Sequence, residues 1–104
     1  MTDQAILDKI GETVKENKIV LFIKGTPEQP QCGFSAQVLA AFQNLKVPFA
    51  YSNVLADETI RQGVKDFSNW PTIPQVYIDG EFVGGNDIVQ QLYASGELEK
   101  MVQG

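Results

Sequence analysis

Hydrophobic positions in the first half of the chain change between two spacings, which predicts alternating helices and strands. Apolar residues recur at helical spacing over 4–16 and again over 34–45, as in an amphipathic helix. The run "KIVLFIKG" at 18–25 is instead continuously apolar and closed by glycine, which is typical of a strand buried on both faces. "PFAYSNV" at 48–54 predicts a second strand. A third helix is predicted from Asp57, whose carboxylate is a suitable N-cap.

The second half of the chain predicts a hairpin and two further helices. "PQVYIDGEFVGG" at 74–85 holds two short strands joined by an Asp-Gly pair, a strong hairpin signal. Asp87 is placed to cap the next helix, and Gly96 separates that helix from a short terminal one over 98–102. The first two strands should be parallel, because a helical crossover joins them, and the last two antiparallel. The pattern therefore predicts an α/β fold with a mixed sheet.

Composition narrows the classes of function. The 104 residues fit one domain over 1–104. Eight basic against thirteen acidic residues give a net charge of −5, which disfavours nucleic-acid binding because that normally needs a basic face. No apolar run approaches the roughly 20 residues that span a bilayer. The opening "MTDQAILDKI" has neither a basic nor an apolar leader, so we expect no membrane partner and a cytoplasmic location.

Cys32 is the only cysteine, and the chain has no histidine. One thiol cannot form a disulfide within its own chain, and the lack of histidine excludes Cys–His pairs, Ser–His–Asp triads and imidazole zinc sites. Cys32 follows a strand and a proline-containing loop and precedes a helix that Ser35 can help to cap. The helix N-terminus should therefore lower the thiol pKa. A buried filler cysteine is the alternative, but a polar loop with two prolines is a poor site for one, and a single cysteine suits a reducing cytosol.

Three motifs resemble those of monothiol glutaredoxins of the CGFS type. They are "KGTPEQPQCGFS" at 24–35, "WPTIPQ" at 70–75 and "GGND" at 84–87. They occur in the family's order, and the resemblance covers nearly the whole chain as a single glutaredoxin domain. It implies a thioredoxin-like fold, a four-stranded mixed sheet flanked by helices, which agrees with the α/β order predicted from the hydrophobic pattern.

The resemblance also implies a glutathione site around Cys32. Its other members, by motif position, are Lys24, Arg61, Ile73, Pro74, Asn86 and Asp87. Lys24 and Arg61 match the family's cations for the glutathione carboxylate, which suits an acidic protein that binds an anionic peptide. Taken alone, Lys24 would be a solvated strand end and Arg61 part of a solvated helix face.

The resemblance implies that the remaining positions contact glutathione mainly through backbone groups. In thioredoxin-like folds the proline at the position of Pro74 is cis and lies beside the cysteine, and the backbone of Ile73 is implied to pair with glutathione as an added strand. Asn86 and Asp87 match the positions that hold the γ-glutamyl end, since helix N-terminal N–H groups suit a carboxylate. For Asp87 the alternative is a plain helix cap. For Trp70 we favour packing around the proline loop over ligand contact.

One departure from the family bears on metal binding. Many relatives carry a second cysteine where this chain has Asn86, so Cys32 is the only sulfur ligand that the chain can offer. A [2Fe–2S] cluster commonly takes four thiolates, of which two chains supply two and two bound glutathiones the others. The resemblance thus implies a cluster shared by two subunits, and hence a homodimer when cluster-bound. It further implies a role in iron homeostasis, cluster transfer to apo acceptor proteins, and a BolA-type partner.

Two other functions remain open from the sequence. In the first, the protein is a glutathione-dependent thiol–disulfide oxidoreductase, in which Cys32 attacks a glutathionylated substrate and glutathione resolves the mixed disulfide. The resemblance implies weak activity of this kind, consistent with Ser35 in place of the second cysteine of a dithiol motif. In the second, the domain is a redox-inert interaction module, which requires Cys32 to be incidental.

Overall fold

The structure is a computed structural model that describes residues 2–103. Its helices are α1 (Gln4–Glu16), α2 (Gly33–Leu45), α3 (Glu58–Ser68), α4 (Asn86–Ser95) and α5 (Glu97–Gln103). Its strands are β1 (Ile19–Ile23), β2 (Ala50–Asn53), β3 (Gln75–Ile78) and β4 (Glu81–Gly84). Every element predicted from the hydrophobic pattern is present, and none of the helices within these residues is long and apolar enough to cross a membrane.

The four strands form one mixed sheet in the order β2–β1–β3–β4. Strand β1 pairs with β2 in parallel and with β3 antiparallel, and β3 and β4 form the predicted hairpin. The helical crossover α2 joins the two parallel strands, as parallel pairing requires. The expected thioredoxin-like fold with a four-stranded mixed sheet is therefore confirmed.

Helices cover both faces of the sheet, which explains why β1 is apolar at every position. Ile19, Leu21 and Ile23 face a core formed with α2, α4 and α5. Val20 and Phe22, which alternate with them, face a second core formed with α1 and α3. All five side chains are buried. The sheet is thus held rigidly between two layers, and its ends can position a site precisely enough for chemistry.

Of the two acidic helix caps that the sequence predicts, one is present and the other is absent. Asp57 caps α3 as predicted, its carboxylate accepting a hydrogen bond from the backbone N–H of Thr59 (2.9 Å). Asp87 does not cap α4, because Gly85 occupies the N-cap and Asp87 lies inside the first turn. Gly84, which has φ of 145°, makes the turn that follows β4. Because of this turn, α4 begins before Asp87, its first acidic residue. The first turn of α4 consequently has no side-chain cap.

Candidate functional site

A cleft of about 460 Å³ opens at the N-terminal ends of α2 and α4. Its lining residues are Lys24, Cys32, Phe34, Lys65, Trp70, Pro71, Thr72, Ile73, Pro74, Gly85, Asn86, Asp87 and Ile88. These residues come from the end of β1, the start of α2, the segment between α3 and β3, and the start of α4. The fold thus brings together all the predicted site residues except Arg61.

Cys32 is the N-cap residue of α2 and is partly exposed in this cleft. The effect of the backbone N–H of Ser35 on its sulfur is the main cause of a thiol pKa below the ordinary value. Partial burial raises the pKa and so opposes this effect, while the backbone N–H of Phe34 and the positive charge of Lys24 add to the lowering. Cys32 is therefore enriched in the thiolate form, which is both the nucleophile and the metal ligand.

The loop 25–31 that leads to Cys32 is tied by its own hydrogen bonds. The backbone N–H of Thr26 donates to the carbonyl of Gln29 (3.2 Å), and the N–H of Gln29 donates back to the carbonyl of Thr26 (3.1 Å). The N–H of Gly25 donates to Oδ1 of Asn53 at the end of β2 (2.9 Å). The loop is therefore fixed both to itself and to the sheet, which holds the thiol in one place.

Ser35 has a different role from the cap predicted for it. It is fully buried, and its Oγ accepts a hydrogen bond from the backbone N–H of Lys24 (3.1 Å). It therefore joins the first turn of α2 to the end of β1. The predicted cap is absent, because α2 has no side-chain cap and the Ser35 hydroxyl, which lies inside the helix, accepts from Lys24 instead.

Ile73 and Pro74 line the same cleft as Cys32. The peptide bond between them is cis, as the resemblance implied, and β3 begins only after it. Among residues 2–103, the backbone N–H and C=O of Ile73 have no hydrogen-bond partner. Lys24, which also lines the cleft, uses its own backbone groups with Ser35 and Gln31. An extended peptide could therefore pair with Ile73 as an additional strand.

The start of α4 also lines the cleft, through residues 85–88. Asn86 donates through Nδ2 to Oε1 of Gln37 (2.6 Å), and its own Oδ1 accepts from Nε2 of Gln90 (3.1 Å). The Asn86 side chain thus links α4 to α2, while the backbone N–H groups of the uncapped first turn remain at the cleft. Asp87 is exposed at the same rim and brings a carboxylate to it.

Two cations line the cleft, and one of them was missed from the sequence. Lys24 lies there as predicted, together with Lys65 of α3. Arg61 does not line the cleft, and its guanidinium lies 3.7 Å from the carboxylate of Glu58 in the preceding helical turn. Lys65 follows Arg61 by four residues and so shares its face of α3, which is the signal that could have identified it. The role of Arg61 stays a prediction.

The rim of the cleft is apolar and unusually exposed. Phe34, Trp70 and Ile88 are 59%, 42% and 40% exposed, respectively, and all three line the cleft. Trp70 also packs against Phe82, with ring centroids 5.8 Å apart. Trp70 therefore packs as expected and also lines the cleft. Such a rim can cover the apolar part of a bound peptide or contact a second protein.

The lowered pKa of Cys32 leads to a prediction for pH dependence. We expect iodoacetamide to alkylate the native protein at half its maximal rate at a lower pH than the urea-unfolded chain. Because the folded state favours the thiolate, this group stabilises the fold above the ordinary thiol pKa. The stabilisation is lost as the pH falls through the folded-state pKa. Identical alkylation profiles for the native and unfolded chains would mean that the helix N-terminus does not activate the thiol.

Known proteins share both the sequence and the fold. The glutaredoxin family profile matches residues 19–83. A probable monothiol glutaredoxin of Rickettsia typhi is 52% identical over 103 residues, covering 99% of this chain and 93% of that protein. The solution structure of reduced poplar apo GrxS14 has a TM-score of 0.79 at 49% identity, covering 92% of this chain and 88% of that one. A buckwheat glutaredoxin crystallised as a glutathione complex has a TM-score of 0.85 at 24% identity, covering 96% of this chain and 89% of that one, a likeness of fold alone. The chain belongs to the glutaredoxin family, in its monothiol branch.

Proposed function

We propose that this protein binds glutathione and uses it to carry a [2Fe–2S] cluster between proteins. The single observation that carries this proposal is a partly exposed thiol of lowered pKa beside a peptide segment with unpaired backbone groups. The first can ligate a metal, and the second can hold a peptide that brings another thiol. The buckwheat glutaredoxin with bound glutathione, which has the same fold, supports the choice of peptide.

Each part of glutathione has a complementary group in the cleft. The cysteinyl segment would pair with the backbone of Ile73, which places its sulfur beside Cys32. Lys24 and Lys65, with Arg61 close by along α3, would hold the glycine carboxylate. The uncapped N–H groups of α4 suit the γ-glutamyl carboxylate. The carboxylate of Asp87 suits the ammonium group at the same end.

The donor set fits a shared cluster and does not fit a metal site within one chain. Among residues 2–103, no group of three or more histidine, cysteine or acidic side chains is close enough to hold a metal ion. Cys32 can supply one thiolate at an open cleft, whereas a [2Fe–2S] cluster commonly takes four. A second chain and two glutathiones would supply the other three. The cluster is cargo in this proposal, and ligation by a dissociable peptide suits its release.

The proposal also includes the carrier's protein partners and its cellular location. A homodimer forms when the cluster is bound, and apo iron–sulfur proteins receive the cluster. A BolA-type protein is a further partner, by which the carrier takes part in iron homeostasis. The cytoplasm is the proposed location, because its reducing conditions keep the single thiol free.

Lys24 gives a direct test of glutathione binding. We expect Lys24→Ala to weaken glutathione binding about tenfold, or about 1.4 kcal/mol, because a charge-assisted contact with a carboxylate is lost. Isothermal titration calorimetry measures this affinity. Lys100→Ala makes the same change of charge on α5, away from the cleft, and should bind like the parent. Equal affinities for both variants and the parent would remove Lys24 from the site.

Thiol–disulfide exchange is the alternative function. The lowered pKa and partial exposure of Cys32 favour it, since one accessible thiolate can attack the glutathione sulfur of a mixed disulfide and release the substrate thiol. Glutathione would then displace the bound glutathione as its disulfide. Ser35 provides no second thiol and is fully buried in a structural hydrogen bond. We therefore expect little turnover in a glutathione-coupled disulfide assay, and rapid turnover would favour the alternative.

A further inference from the structure

Gln75 is a polar side chain inside the core that has no part in the site described above. It is the first residue of β3, is fully buried, and lies opposite Phe22 of β1 in the sheet. Its amide Nε2 donates to two backbone carbonyls, those of Trp70 (3.2 Å) and Thr72 (3.1 Å). Its Oε1 is buried and has no hydrogen-bond partner within residues 2–103.

Stability alone does not explain why a glutamine is buried at position 75. A buried oxygen without a partner is unfavourable, and an apolar side chain of the same shape would avoid that cost. What the amide provides is a pair of hydrogen bonds to the segment 70–73, which crosses from α3 to β3 and lines the cleft. The other end of this segment is tied to α3, because the backbone N–H of Trp70 donates to the carbonyl of Lys65 (3.2 Å). The two hydrogen bonds from Gln75 attach the same segment to the start of β3.

We propose that Gln75 is a positioning residue for peptide binding in the cleft. It acts through the carbonyls of Trp70 and Thr72, which set the place of the Trp70 ring and of the unpaired backbone of Ile73. Gln75 does not line the cleft, so its effect on a ligand is indirect. This inference rests on the proposed glutathione function for its effect on affinity. Its effect on the segment 70–73 can be measured without any ligand.

The test replaces the amide with an apolar side chain of similar length. Gln75→Met keeps the volume and loses both donated hydrogen bonds. Val76→Ala is the matched control, because Val76 is the next residue of the same strand and is buried in the core on the opposite face. It should cost stability without touching the segment 70–73. We expect Gln75→Met to lower the affinity for glutathione about tenfold and Val76→Ala to leave it unchanged.

Two further readouts separate positioning from a general loss of structure. Trp70 is the only tryptophan, so its fluorescence reports on this segment alone. Acrylamide should quench it more strongly in Gln75→Met than in the parent or in Val76→Ala. The pKa of Cys32 should be unchanged in both variants, since the N–H groups that lower it belong to α2. Gln75→Leu is measured alongside, so that the conclusion does not depend on the folding of one variant.

The outcomes distinguish a failure of the positioning role of Gln75 from a failure of the proposed glutathione function. Parent-like quenching of Trp70 in both Gln75 variants would overturn the positioning role, whatever the glutathione affinity. Equal loss of affinity in Val76→Ala would also overturn it, because the effect would then follow stability. If the parent itself binds no glutathione, the proposed function fails. The quenching of Trp70 still decides whether Gln75 holds the segment 70–73.

Discussion

Cys32→Ser is expected to abolish cluster uptake while leaving the fold intact. The chain has no other cysteine and no histidine, so the variant has neither a thiolate nor an imidazole to replace the lost cluster ligand. The fold should tolerate the change because Cys32 is partly exposed at the N-cap of α2, where a serine hydroxyl suits the same backbone N–H groups of the first turn. Serine is a preferred N-cap residue and could stabilise the helix by up to about 1 kcal/mol. The same substitution should therefore remove the function. Below the folded-state pKa of the thiol, where the thiolate no longer stabilises the parent, it should also preserve or raise stability.

The measurement for this variant combines two experiments. Anaerobic incubation with iron, sulfide and glutathione is followed by visible absorbance, which should develop for the parent and not for Cys32→Ser. Thermal unfolding followed by circular dichroism, at a pH below the folded-state pKa of the thiol, should give a midpoint for the variant no lower than that of the parent. If Cys32→Ser takes up iron and sulfide as well as the parent does, the ligand must lie elsewhere.

Gly25→Ala is expected to lower the free energy of unfolding by at least about 2 kcal/mol. Gly25 has φ of 101°, which L-residues rarely adopt, and an added Cβ would lie 2.6 Å from the carbonyl oxygen of Gln29 and from the backbone nitrogen of Gln31. These atoms belong to the hydrogen-bonded loop 25–31, so they can give way only by opening it. Because that loop leads directly to Cys32, the thiol pKa should also return toward its ordinary value.

Gly33→Ala is the matched control for this prediction. Gly33 is the first residue of α2, its φ is in the ordinary range, and an added Cβ there would meet no atom within 4 Å. We expect its stability to stay within about 0.5 kcal/mol of the parent, as for most surface substitutions. Urea denaturation of the three proteins measures the difference. Parent-like stability of Gly25→Ala would mean that the loop adapts and does not fix the thiol.

The elements of the fold were predictable because their signals are local. The continuous apolar run of β1 and the Asp-Gly pair between β3 and β4 specify buried and hairpin strands directly. The helix starts were less certain, because a cap depends on where the preceding strand ends. At Asp87 the glycine turn after β4 starts the helix earlier than an acidic residue would indicate.

The site was predictable where its residues lie in contiguous motifs, and not where it depends on neighbours in space. Cys32 and Pro74 could be placed in one cleft from the sequence because motif residues surround them. Lys65 has no such context, and only the packing of α3 brings it to the cleft. The same holds for Gln75, whose position in an apolar strand gives no sign that its amide holds two carbonyls of the preceding segment.

The ratio of cluster to chains in the reconstituted protein tests the shared-cluster proposal most directly. The protein is reconstituted anaerobically with glutathione, and iron, sulfide, bound glutathione and molar mass are measured on the same sample. We predict a coloured dimer with about one [2Fe–2S] cluster and two glutathiones per two chains, because each chain offers one thiolate. A colourless monomer after this treatment, or one cluster held by a single chain, would contradict it.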